Sequence, residues 1–115
     1  MAAVYVNNIV INTGSNFIQS FDLESADTNS ALDLTGYTAN SQMRKYSGSS
    51  TAINFNVSIS LPETLGRIII SLGSTETVNL KPGRYVYDVL ITETATSKKT
   101  RVVEGMALVR EGVTR

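Results

Sequence analysis

Between residues 52 and 61 apolar and polar side chains alternate without interruption: Ile53, Phe55, Val57, Ile59 and Leu61 stand against Asn54, Asn56, Ser58 and Ser60. A strand turns successive side chains to opposite faces, so this period of two predicts a half-buried antiparallel strand. Six further runs predict strands at 4–13, 16–23, 37–45, 67–72, 84–92 and 100–110. The breaks between them carry turn chemistry: Thr13-Gly14-Ser15, a polar loop over 24–33, and segments 47–51, 62–66, 73–83 and 93–99. Short strands at this spacing predict an all-β sandwich or barrel. Between the fifth and sixth strands, 74–80 can form one helical turn capped by Ser74, which Pro82-Gly83 then ends. Leu80-Lys81-Pro82-Gly83 followed by Tyr85 and Tyr87 matches the E-to-F corner of immunoglobulin-like sandwiches, where a tyrosine hydroxyl bonds back to the backbone. The expectation is a single domain over 1–115, an immunoglobulin-like antiparallel β-sandwich of about seven strands.

Three strands break the alternation. In 84–92, Tyr85, Tyr87, Val89 and Ile91 share one face, yet Val86 and Leu90 lie on the other. In 100–110, Val103, Ala107 and Val109 oppose Val102, Met106 and Leu108, with Gly105 between. Either a bulge at Gly105 exchanges the faces or the outer face is covered by a partner. In the first strand Val4 and Val6 share one face and Ile9 and Ile11 the other, with Asn7-Asn8 between, which predicts a strand that crosses from one sheet to the other at a kink.

Composition narrows the class. The 115 residues suffice for one core, and the bias toward Thr, Ser, Val and Ile favours strands. Ten basic and ten acidic residues balance, so no global field draws the chain to nucleic acid or to an anionic membrane. The short basic pairs Arg44-Lys45 and Lys98-Lys99 do not change that expectation. No apolar run approaches the ~20 residues of a membrane helix. The start lacks a basic segment followed by a continuous apolar stretch, so a soluble chain without an export signal is expected.

There is no histidine and no cysteine, which removes disulfides, the usual proton shuttles and most transition-metal ligands. Serines and threonines have no histidine base and no nucleophile-elbow motif. Lys45, Lys81, Lys98 and Lys99 fall at predicted loops or strand ends, where a solvated lysine is ordinary, and burial is what tunes a lysine for chemistry. Asp22, Glu24, Asp27 and Asp33 surround one polar loop, but a calcium loop needs a glycine sixth and an acid twelfth after its first ligand, and Asp27 has neither. No catalytic residue, metal site or cofactor is expected. Asp88 stands on the outer face with Val86 and Leu90, and cross-strand pairing with Arg44 or Arg101 is its ordinary reading; contact with another subunit is the alternative.

Four segments carry a family likeness: VNNIVINTGSNFIQSFDL, LDLTGYTANSQMRK, LKPGRYVYDVLIT and the ending TRVVEGMALVREGVTR. In them the chain resembles small virion proteins of tailed bacteriophages, of the T4-like cyanophage type, related to the N-terminal domain of phage baseplate upper proteins. The resemblance implies a non-enzymatic assembly or attachment module of the tail, baseplate or neck. It would be made in the host cytoplasm, carried in the virion in several copies of a symmetric assembly, and would contact other virion proteins, with no nucleic acid or membrane partner. The outer-face residues Val86, Asp88, Leu90, Met106 and Leu108, with the N-terminal segment, are the expected contact site. A capsid decoration protein has the same chemistry at another address. A carbohydrate-binding module, stacking sugars on Tyr37, Tyr46, Tyr85 and Tyr87, is the reading from a different class.

Overall fold

The computed structural model describes residues 5–24, 30–46 and 48–113, with Tyr5 described in its backbone only. Val4 and Asp27 therefore lie outside the described residues. Among the described residues nine strands form: β1 (Tyr5–Val6), β2 (Ile9–Asn12), β3 (Phe17–Asp22), β4 (Tyr37–Arg44), β5 (Ile53–Asn54), β6 (Asn56–Ile59), β7 (Arg67–Leu72), β8 (Gly83–Glu93) and β9 (Lys98–Arg110). They build two sheets. In the larger one β1 and β2 both flank β9, followed by β8, β4 and β5; in the smaller the order is β3-β7-β6. Counted as chain runs, with β1/β2 and β5/β6 each interrupted once, these are the seven strands expected of an immunoglobulin-like β-sandwich.

Four features differ from the sequence expectation, each for a local reason. The first strand does not change sheets: Tyr5 pairs with Val103 and Ile9 with Ala107, both in parallel with β9 in one sheet. The sandwich is therefore not wholly antiparallel. Asn7 and Asn8 interrupt the strand because their polar groups are used otherwise: Asn7 accepts the Tyr87 hydroxyl on its carbonyl, and the Asn8 Oδ1 accepts the Met106 amide at 3.0 Å.

It is the alternating run that crosses. Ile53–Asn54 pairs with β4, whereas Asn56–Ile59 pairs with β7. The crossing residue is Phe55, whose ring bridges the two layers, 5.9 Å from the Phe17 ring and 6.3 Å from Tyr87, the latter edge-on. Strict alternation is compatible with a change of sheet because both inner faces look into one core. Leu61, at the end of the run, lies outside that core and is 75% exposed.

The bulge is not at Gly105. Val89 pairs with Val103 and Leu90 with Arg101, leaving Val102 as the extra residue. Two consecutive residues then turn inward, and both Val102 and Val103 are fully buried. Gly105 answers a different need, since a Cβ there would sit 2.2 Å from the Asn7 carbonyl oxygen.

The helical turn is Ser74–Thr77, and its cap is Gly73 rather than Ser74. The Glu76 carboxylate accepts the Gly73 amide at 2.9 Å, Asn16 Oδ1 accepts the Ser74 amide at 2.8 Å, and the buried Thr77 hydroxyl donates to the Ser15 carbonyl. These bonds satisfy the first free amides of the turn and tie it to the start of β3. The corner is as expected: the Tyr85 hydroxyl donates to the Lys81 carbonyl at 2.8 Å, four residues upstream.

The core lies between the sheets, with Ile11, Met43, Val89 and Val109 from the larger facing Phe21, Ile68, Ile70 and Leu72 from the smaller. At ~1.5–3 kcal/mol for each large apolar side chain, their burial is the main stabilising term.

Candidate protein-docking face

The residues left outside the core are fixed by strand register. Across the outer face of the larger sheet, Val10 pairs with Leu108 and Leu108 with Arg84; Met106 pairs with Val86 and Val86 with Arg44; Glu104 pairs with Asp88 and Asp88 with Gln42. Side chains paired in register stand on the same side, so these form three successive rows. The apolar members are open to solvent: Val10 is 47% exposed, Met106 46%, Leu108 39% and Val86 37%. Leu90 is half-buried beside them. Val86, Leu90 and Met106, with Arg44, Lys45 and Tyr46, line a shallow depression of about 990 Å³, and Val10 and Leu108 lie outside its lining.

Asp88 has an intramolecular partner. Its Oδ2 lies 3.4 Å from the Arg101 Nε, and an Arg101 Nη lies 3.9 Å from the Glu104 carboxylate. Asp88 and Glu104 face each other in register, a repulsive arrangement that Arg101 relieves by touching both. Arg101 can do so because of the bulge. Were Val102 paired in a regular ladder, strict alternation from Glu104 would aim residue 101 into the core. Exposed as they are, these pairs contribute no more than ~1 kcal/mol, and they set orientation more than stability. Arg44, the other expected partner, is used elsewhere: its guanidinium donates to the Ser49 carbonyl and to Gln42 Oε1.

All five expected contact residues thus lie on one face, Val86, Met106 and Leu108 in adjoining rows and Asp88 and Leu90 beside them. Sequence reasoning missed the bases that rim it. Arg84 and Arg110 share the outward side of their strands with Val86 and Leu108, whereas Lys45 turns its Nζ to the inner side, 5.0 Å from the centre of the Tyr85 ring. Outward position in β8 and β9 was readable for the arginines from the same alternation that exposed Val86. The contribution of Val10 depends on the parallel pairing with β9, for which local sequence carries no signal.

The tyrosines do not form a stacking platform. Tyr85 and Tyr87 are buried in the corner and the core, Tyr37 is half-buried and donates its hydroxyl to Glu93 at 3.2 Å, and Tyr46 alone of the four is well exposed. Burial raises the Tyr87 hydroxyl to a pKa of about 12. Burial, then the Glu93 carboxylate, raises that of Tyr37. Around the polar loop, Asp22 is bound by Arg67 at 2.7 Å, and Asp33 accepts the Thr35 hydroxyl and amide, bonds that lower its pKa. Among the described residues no three acids converge as a metal cage.

No protein-family model matches the chain, and no curated protein matches it. Among solved structures it is similar to InlP of Listeria monocytogenes, with a TM-score of 0.52 and 17% identity over 90% of this chain and 26% of that one. The likeness is one of fold, and the chain spans about a quarter of that protein's length.

Proposed function

We propose that the domain is a non-enzymatic assembly or attachment module that binds another protein through the outer face of its larger sheet. The observation that carries this reading is the group of exposed apolar residues Val10, Val86, Met106 and Leu108, clustered on one face and bordered by charge. Single exposed apolar residues are ordinary on a protein surface, whereas a contiguous patch with a polar rim is the anatomy of a docking site. The lack of histidine and cysteine in the sequence is in keeping with binding rather than turnover.

The setting we propose is a bacteriophage particle, with the module in the tail, baseplate or neck and contacting other virion proteins. That placement rests on the four sequence segments that resemble small virion proteins. In particles assembled with Val86→Asp or Met106→Asp chains that fold normally, incorporation should fall well below wild-type stoichiometry. Incorporation at the wild-type level by both would show that the face is not the contact.

A further inference from the structure

The chain is neutral, but its charge is divided. On and around the outer face stand four bases, Arg44, Arg84, Arg101 and Arg110, against the two acids Asp88 and Glu104. A second surface, on the smaller sheet, has the opposite sign. The connection from β6 to β7 carries Leu61 and Leu65, 75% and 43% exposed, with Glu63 in the 3-10 turn Glu63–Leu65 between them. Its Glu63 carbonyl accepts the Leu34 amide at 3.0 Å, which brings Asp33 to the same corner, and Leu23 donates to Gly66 at 2.8 Å. Asp22 stands nearby but is balanced by Arg67 at 2.7 Å, so the charge of the corner is that of Glu63 and Asp33. Among the described residues Glu63 and Asp33 have no basic partner. These backbone bonds hold the corner in place before any partner arrives, so little ordering entropy is lost on contact.

From this pairing of an apolar face rimmed with bases and an apolar tip flanked by acids we infer that the occupant of the face is a second copy of this chain, docked by its β6–β7 tip. The inference rests on the docking reading above and names its partner. The two surfaces belong to different sheets of the sandwich, so one molecule cannot satisfy its own. A contact between unlike surfaces is head-to-tail, and repeated it gives a ring or a filament rather than a closed pair. Opposite charges set the orientation and speed the encounter, while Leu61 and Leu65 meeting Val86 and Met106 supply the apolar burial. A convex tip on a shallow depression buries less than the ~800 Å² per partner of a standard interface, so the contact is weak in isolation and gains strength only in an array.

Sedimentation velocity of the full 115-residue chain tests this. The wild-type chain should self-associate with rising concentration, less so in high salt. Arg84→Glu/Arg110→Glu, with the face reversed, and Glu63→Lys, with the tip reversed, should each associate at least tenfold more weakly while keeping the wild-type near-ultraviolet circular dichroism. Mixed in equal amounts, they should associate again, because the intact tip of one fits the intact face of the other. If the wild-type chain stays monomeric into the millimolar range, if either folded variant associates like wild type, or if the mixture forms no complex, the inference fails. Should it fail while Val86→Asp still blocks entry into particles, the docking face stands and its occupant is another protein.

Discussion

Gly105 lies against the backbone of Asn7, between β1 and β2. An added Cβ would meet the oxygen and carbon of the Asn7 carbonyl at 2.2 and 2.8 Å, and backbone cannot swing aside as a side chain would. That carbonyl also accepts the Tyr87 hydroxyl, so displacing it breaks a second contact. Gly105→Ala should lower stability by about 2–3 kcal/mol, read from the urea midpoint; an unchanged midpoint would mean that the β1–β2 segment is not seated there. Tyr87 makes a pH prediction. Its folded pKa of about 12 lies above the ordinary value of 10, so the unfolded chain ionises first. The stability this group contributes is present in full below pH 10 and is lost as pH rises toward 12. Tyr87→Phe should flatten the fall in stability across that window, and a loss of equal steepness in both proteins would place its cause elsewhere.

At the scale of elements, β9 shows how an inserted residue governs a surface. Val102 is extra: Val89 pairs with Val103, and Leu90 with Arg101. Deleting Val102 should leave a regular ladder on either side and keep Arg101 facing Asp88, at a cost of roughly 2–3 kcal/mol for one buried valine. Deleting Ala107 from the regular part of β9 should instead reverse the faces of the residues on one side of it and abolish folding. Thermal melts followed by circular dichroism decide between them; equal effects from the two deletions would contradict the bulge. This strand also marks the limit of what alternation conveys. The apolar positions on both faces of 100–110 were legible in the sequence, as were strand limits, the tyrosine corner and the exposed side of Val86 and Met106. The position of the bulge was not, because Val102-Val103 and Gly105 both interrupt the period and only the close approach of Asn7 tells them apart. The crossing at Phe55 was hidden for a related reason: a strand that passes between two sheets around one core keeps its period of two. Asn7-Asn8 gave the opposite error, a broken pattern in a strand that keeps one partner throughout.

For the molecule as a whole, the separation of charge matters more than its sum. A net charge of zero conceals a basic rim around the apolar face and acids around the β6–β7 tip, and the two surfaces became visible only when register and backbone bonds brought distant residues together. The ion pairs of Asp88, Arg101 and Glu104 close the charge at one end of the face within the chain and leave Arg84 and Arg110 at the other. The central claim is that this face is covered in the assembled state. A cryo-electron-microscopy map of the particle proposed above to carry the chain tests it most directly. The account predicts density from a neighbouring protein packed over Val86, Met106 and Leu108, with Arg84 meeting acidic side chains; a map in which those residues face open solvent in every copy would contradict it.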